Sequence, residues 1–101
     1  MAARLSLQRA SAQELRRIFN SLYLGPFQSG QLQTVLKKDN HPSPVKSEYP
    51  DCTRSQIIVC YDKNGQKIAI VHQYLLPNGT LGGSGLPDPK WVLFKGKIHF
   101  I

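Results

Sequence analysis

Cysteine, acidic residues and long apolar runs are all scarce in this sequence, and each scarcity argues against a class of function. The 101 residues include two cysteines and six acidic side chains. Cys52 and Cys60 form no C-x-x-C pair, and two thiols with three scattered histidines do not make a zinc site. No apolar run approaches the roughly 20 residues that span a bilayer. We therefore expect no metal, no organic cofactor and no membrane partner, and a cytoplasmic protein of bacterial or phage origin.

Basic side chains, by contrast, are abundant. Thirteen lysines and arginines give a formal net charge of +7, which favours an anionic partner: nucleic acid, RNA more than DNA, or else an acidic protein. The charge is spread along the chain, with seven bases against three acids in residues 1–50 and six against three in residues 51–101. Because a basic composition also serves solubility alone, the count does not identify the partner.

The first half of the chain predicts helices. Ser11 and Glu14 have the spacing of a capping box, in which the hydroxyl accepts a backbone N–H and the carboxylate reaches back. Gly25 and Pro26 are a strong helix stop, so the predicted helix covers residues 11–24. Its apolar stripe, at helical spacing, is Leu15, Ile18, Phe19, Leu22 and Tyr23.

The flanking segments are less regular. A second, shorter helix is predicted over residues 29–38, with Ser29 as its N-cap. Residues 39–53 contain three prolines, which exclude a helix and predict a linker with an exposed His41. Residues 1–10 are interpreted as a flexible arm or a short edge strand.

A first β-hairpin is predicted by two apolar, β-branched runs, residues 55–62 and 66–76. They are separated by Asn64-Gly65, the pair typical of a two-residue type I′ turn. Such a turn fixes the register, and both faces of the hairpin are then apolar, which predicts a central position in the sheet. The predicted pairs are Tyr61 with Ile68, Cys60 with Ala69, Val59 with Ile70, Ile58 with Val71, and Ile57 with His72.

A second hairpin is predicted from residues 91–94 and 97–101, joined by a Lys-Gly turn. Residues 81–89 are rich in glycine and proline and predict an irregular loop. The expected fold class is therefore α+β, with two N-terminal helices followed by a four-stranded antiparallel sheet of two β-hairpins. The whole chain, residues 1–101, is interpreted as one domain.

The glycine-rich stretch GTLGGSG, residues 79–85, is the most unusual segment. It is either a flexible or tightly turned connection, or a loop whose backbone N–H groups approach a phosphate. The Walker and dinucleotide-binding motifs both need a helix after the glycines, whereas Pro87, Pro89 and then a strand follow here, so both motifs are excluded. The candidate nucleic-acid contacts in this loop are Gly82, Gly83 and Ser84.

Histidine is the side chain best suited to proton transfer near neutral pH. His72 in the strand of residues 66–76 is either a structural side chain or a general acid or base. His99 is expected opposite Val92 in the last hairpin. If the two histidines met, they would suit metal-independent RNA cleavage by attack of the 2′-hydroxyl. Tyr74 is the third candidate for a catalytic role.

The remaining candidates are cations and aromatic rings. Lysines and arginine in the second half either hold phosphates or protect sheet edges, and aromatic side chains either stack on bases or anchor the core. Asp88, fixed between two prolines, is expected to pair with a nearby cation, Lys90 or Arg54, or to cap a turn. The candidate nucleic-acid contacts from this group are Arg54, Lys90, Lys95, Lys97 and Trp91, with Tyr74 as a second stacking ring.

Residues 72–90, HQYLLPNGTLGGSGLPDPK, resemble a segment of short, uncharacterised bacterial and phage proteins. The segment covers about a fifth of the chain. The resemblance implies no particular activity, so it marks these residues as a signature without assigning them a role.

A second resemblance is architectural. Two helices before a four-stranded antiparallel sheet, in a basic chain of this length, is similar to the small ribonuclease toxins of the barnase, colicin and RelE type. That resemblance implies a basic, histidine-bearing sheet face that contacts RNA. The residues able to fill that face are His72, Tyr74, Arg54, Lys90 and His99.

Two functions therefore stand as hypotheses. The first is a small basic nucleic-acid-binding domain, with an RNA-cleaving toxin as its catalytic version, in which His72 transfers a proton while Lys90 and Arg54 hold the phosphate. The alternative is a non-catalytic protein-interaction or regulatory module that uses the hairpin edges or the proline linker. Whether the chain is an enzyme at all stays open on the sequence.

Overall fold

The structure, a computed structural model, describes residues 6–40 and 49–101. Residues 1–5 and 41–48, which include His41 and most of the predicted linker, lie outside the described residues. The elements in chain order are β1 (Ser6–Arg9), α1 (Ala12–Leu22), α2 (Leu24–Gln28), β2 (Gln33–Asn40), β3 (Arg54–Tyr61), β4 (Lys67–Leu75), β5 (Asp88–Phe94) and β6 (Lys97–Phe100).

One mixed sheet of six strands dominates the structure, in the order β1-β6-β5-β4-β3-β2. Its neighbours are antiparallel except β1 and β6, which are parallel. The predicted fold of two helices and a four-stranded antiparallel sheet is therefore wrong. Strand β1 is an edge strand, which is one of the two alternatives given for the N-terminal residues. Strand β2 lies where the second helix was predicted. The arrangement on which the similarity to ribonuclease toxins rests is not the one observed.

Strand β2 forms where helical spacing was expected because the free edge of β3 is available to it. Leu32, Val35 and Leu36 have the spacing of a helix face, but the segment also contains the β-branched pair Thr34 and Val35. Pairing with β3 satisfies the backbone groups on the side of β2 that faces it, and short apolar patterns do not discriminate between the two structures. The predicted linker accordingly begins later, because Asp39 still belongs to β2.

The first predicted helix is confirmed, with different ends. The Ser11 hydroxyl accepts the Glu14 backbone N–H at 3.1 Å, as in the predicted capping box. Glu14 does not reach back, because its carboxylate accepts Arg17 at 2.7 Å instead. Pro26 does not stop the helical path, since it lies in the first turn of α2, where a missing N–H costs no hydrogen bond. Gly30, with φ of 77°, follows the end of α2.

The hairpin of β3 and β4 is confirmed, and each of its strands has a neighbour on both sides. Its turn is not type I′, because only Gly65 of the central pair has a positive φ, 81°. The Asp62 carboxylate instead accepts the backbone N–H groups of Asn64 and Gln66 at 2.8 and 2.9 Å. This wider turn adds a bulge, so Tyr61 pairs with Lys67 rather than with Ile68, while the other four predicted pairs are observed.

Strand β5 begins earlier than predicted, at Asp88, and it includes Pro89. The proline is tolerated because a bulge lies beside it: Val71 pairs with Pro89 and Ile70 with Trp91, which leaves Lys90 without a direct partner on β4. The predicted loop therefore ends near residue 87.

The core lies between α1 and one face of the sheet. Leu15 and Phe19 of α1 are fully buried, as are Val71 of β4 and Val92 of β5 beneath the helix. Burial raises the pKa of the Cys60 thiol, in the same core, to about 11, so the thiol stays protonated at neutral pH. Helix α1 thus packs against one face of the sheet.

The two ends of the apolar stripe on α1 should differ in their contribution to stability. Phe19 is 0% exposed, whereas Leu22 is 41% exposed although the sequence pattern groups them together. We expect Phe19→Ala to lower the free energy of unfolding by about 3–5 kcal/mol and Leu22→Ala to lower it by less than about 1 kcal/mol. Urea unfolding measures both, and equal losses would contradict the packing described here.

Candidate functional site

A cleft opens where β4 extends past the beginning of β5. The pairing of the two strands ends with His72 opposite Asp88, so the last residues of β4 have no β5 partner. The cleft has a volume of about 330 Å³. All but two of its lining residues come from the segment 72–90. The lining consists of Arg16, Tyr49, His72, Gln73, Tyr74, Gly82, Gly83, Ser84, Leu86 and Asp88.

The glycine-rich loop forms one wall of the cleft and is held in place by hydrogen bonds. The Gly82 N–H donates to the Tyr74 carbonyl at 2.9 Å, and the Leu76 N–H donates to the Thr80 carbonyl at 2.9 Å. The Asn78 side-chain carbonyl accepts both the N–H and the hydroxyl of Thr80, at 3.0 and 2.6 Å. The loop is therefore an ordered extension of β4, as the tight-connection interpretation expects.

Gly82 leaves room for the ring of its neighbour Tyr49. A Cβ atom at this position would lie 2.6 Å from Cε1 of the Tyr49 ring, closer than real contacts allow. The same ring lies 5.1 Å from the ring of Tyr74, tilted by 32°. Tyr49 is thus packed between the loop and β4, and any side chain at residue 82 would displace it.

Aromatic rings continue from Tyr74 to His72, which follow each other on the same face of β4. The two rings meet edge to face, with centroids 4.6 Å apart. The Nε2 atom of His72 is 3.0 Å from the Ser55 hydroxyl on β3. Burial lowers the pKa of His72 below 6.5 and the charge of Lys90 lowers it further, although Asp88 opposes them. The imidazole is therefore neutral at neutral pH and can accept a hydrogen bond or a proton.

Asp88 forms ion pairs with two cations at the edge of the cleft. Its carboxylate accepts the Arg16 Nε–H at 3.2 Å and the Lys90 ammonium at 2.9 Å. Burial would raise the pKa of Asp88, but the hydrogen bonds and charges of Lys90 and Arg16 lower it below its usual 3.8. The carboxylate is ionised, so the three side chains carry one net positive charge. The predicted pairing of Asp88 with Lys90 is observed, whereas Arg54 pairs with Asp39 at 2.9 Å.

Several predicted site residues meet at this cleft. His72 and Tyr74, proposed from the sequence as catalytic candidates, line it together with Gly82, Gly83 and Ser84. Lys90 does not line the cleft but donates a hydrogen bond to Asp88, which does.

The structure does not bring the other candidates into the cleft. His99 pairs with Val92 and so shares the face that α1 covers, whereas His72 lies on the opposite face. The Nε2 atom of His99 is buried and has no hydrogen-bond partner among the described residues. Lys95 lies in the turn at the far end of β5 and Lys97 directly follows it, about 20 Å along the strand from Asp88. The predicted meeting of the two histidines is therefore not observed.

Sequence reasoning missed four contributors: Arg16, Tyr49, Gln73 and Ser55. Arg16 lies on the polar side of α1, and no local pattern distinguishes it from Arg17 beside it. Tyr49 belongs to the proline-rich stretch interpreted as a linker. The hairpin register did contain a signal for Ser55, because Ile57 opposite His72 places Ser55 diagonally across from the histidine on the same face.

Comparison with models of protein families, with curated proteins and with solved structures finds no match to this chain. Within residues 6–40 and 49–101, no group of three or more histidine, cysteine or acidic side chains is placed to hold a metal ion. In the same ranges, no helix has the length and apolar composition needed to cross a membrane. The site's chemistry must therefore be argued from its own side chains.

The titration of His72 tests the electrostatics of this cleft. Because the charge of Lys90 lowers the pKa of His72, Lys90→Gln should raise it, and Lys95→Gln, at the far end of β5, should leave it unchanged. NMR titration of the imidazole Cε1 proton measures both variants. Since the folded chain binds this proton more weakly than the unfolded chain, protonation of His72 should also lower stability as the pH falls below 6.5. A decrease in the pKa with Lys90→Gln would contradict this account.

Proposed function

We propose that this chain binds single-stranded nucleic acid, RNA in preference to DNA, with one nucleotide seated in the cleft. The observation that carries the proposal is the association of stacking rings with two partly exposed cations at one open cleft, in a chain of net charge +7. Rings take up bases of any sequence and cations take up phosphates, and this combination is typical of single-strand binding. A membrane plays no part in the proposal.

The base is expected to lie against Tyr74. The cleft volume of about 330 Å³ is at the lower end of the range for small-molecule sites and suits one ring system. Gln73 also lines the cleft and can supply polar contacts: its Nε2 donates to Gln56 at 2.9 Å, and among the described residues its side-chain carbonyl accepts no hydrogen bond.

The phosphate is expected at Arg16 and Lys90. Their side chains are 52% and 47% exposed, and Asp88 holds both at the rim. Within residues 6–40 and 49–101, Arg16 donates a hydrogen bond only through its Nε–H, to Asp88, so the other guanidinium donors can reach a phosphate oxygen. Asp88 neutralises one of the two charges and also fixes where both cations stand.

The glycine-rich loop adds backbone donors. Among the described residues, the N–H groups of Gly83 and Ser84 make no hydrogen bond, and both residues line the cleft. Free N–H groups on a fixed loop are suited to a phosphate or sugar oxygen. The preference for RNA rests on the 2′-hydroxyl, which His72 and the Ser84 hydroxyl are able to recognise.

The two edge strands, β1 and β2, do not favour the alternative of a protein-interaction module that uses the sheet edges. Strand β2 carries a register shift at Lys37, followed by Lys38, and a bulge with lysines is a common protection against edge pairing. The other edge, β1, has four residues in the described part of the chain, Ser6–Arg9. Cleavage by paired histidines is not part of the proposal, because His72 and His99 lie on opposite faces.

Arg16 and Arg17 provide a matched test of the phosphate site. Arg16→Ala should weaken binding of a fluorescently labelled oligouridylate several-fold, because one phosphate contact is lost. It should also reduce the slope of log affinity against log salt by about 0.7. Arg17 is adjacent and exposed but pairs with Glu14 instead, so Arg17→Ala should leave both quantities near wild type. Fluorescence anisotropy over a salt series measures them, and equal effects, or no binding by the wild type, would overturn the proposal.

A further inference from the structure

A row of apolar side chains crosses five strands of the sheet. The register places Val35, Val59, Ile70, Trp91 and Phe100 directly opposite one another in succession, from β2 to β6. Directly paired residues point to the same side of a sheet, and the adjacent residues on β4 and β5 are the ones buried beneath α1. The row therefore lies on the face away from the helix.

Two cations accompany the aromatic members of this row. The Lys67 ammonium lies over the Trp91 ring, 4.9 Å from its centroid, and the Arg9 guanidinium carbon lies over the Phe100 ring, 5.1 Å from its centroid. Lys67 and Arg9 are exposed, whereas the two rings are half-buried. An apolar face whose rings are each accompanied by a cation has the charge to attract an anionic polymer, with rings for its bases and cations for its phosphates.

The row is continuous with the cleft. His72 and Tyr74 follow Ile70 at two-residue steps along β4, so all three lie on one face. Trp91 is opposite Ile70, which puts it about 13 Å from Tyr74 along the strand. A chain that leaves the cleft in this direction meets Trp91 first and Phe100 on the next strand.

We infer that a nucleic-acid strand seated in the cleft continues across this face, with successive bases against Trp91 and Phe100 and phosphates at Lys67 and Arg9. The inference rests on the proposed function and extends it from one nucleotide to a path for several. It commits to single-stranded nucleic acid as the occupant, because the cations over both rings complement phosphates.

Trp91 is the only tryptophan of the chain, so its emission reports directly on this face. Saturating oligouridylate should quench the emission, because a base stacks on the indole, whereas uridine monophosphate should occupy the cleft and leave it unchanged. Lys67→Ala should weaken oligouridylate binding several-fold and leave the affinity for uridine monophosphate, measured by calorimetry, unaltered. Because Lys67 is exposed, the variant does not disturb the core.

Lys95→Ala is the matched control. Its ammonium also lies beside an aromatic ring, that of Phe94 at 5.1 Å, but Phe94 shares the orientation of Val92 on the helix-covered face. This variant loses the same charge and should bind oligouridylate like the wild type at matched salt.

The outcomes separate the two proposals. If the wild type binds neither ligand, the proposed function fails and this inference fails with it. If the wild type binds both but Trp91 emission is unchanged at saturation, or Lys67→Ala and Lys95→Ala weaken binding equally, the path across the sheet is wrong while the cleft stands. If Lys67→Ala alters self-association in sedimentation and not oligouridylate binding, the face pairs two copies of the chain and the inference is overturned.

Discussion

The pairing of His72 with Asp88 is the constraint on which the rest of the site depends. It is the last pair between β4 and β5. The residues that precede Asp88 belong to the connection that contains the glycine-rich loop. The bulge at Lys90 makes this pair possible, because it lets a strand that contains Pro89 join the sheet. The unpaired end of β4 then has room beside it for the cleft, and the loop returns to this end through the Leu75–Leu81 pair and the Gly82 N–H.

The same pair organises the charges. Asp88 lies at the end of β5 nearest α1, where its carboxylate reaches Arg16 from the helix and Lys90 from its own strand. Asp88 thus holds two of the chain's cations at defined positions beside the cleft. Burial and Lys90 keep His72 neutral beside them, so the cleft offers both charged donors and an uncharged imidazole to a ligand.

The sequence predicted the parts of the fold whose signals are local. The cap at Ser11 and the register of β3 with β4 depend on neighbouring residues, and the cap and four of the five predicted pairs are observed. Strand β2 and the beginning of β5 depend on which sheet edge is free, and no local pattern contains that information. The same limit applies to the site: residues within the segment 72–90 were singled out, whereas Arg16 and Tyr49 reach the cleft only through tertiary packing.

The central claim is that single-stranded nucleic acid occupies the cleft, and backbone-amide NMR during titration with oligouridylate tests it most directly. The account predicts that the largest shift changes fall on Tyr74 and on the loop N–H groups of Gly83 and Ser84, with further changes at the Trp91 indole. Changes confined to the turn at Lys95 and Gly96, or no changes at all in the cleft at saturating ligand, would contradict it.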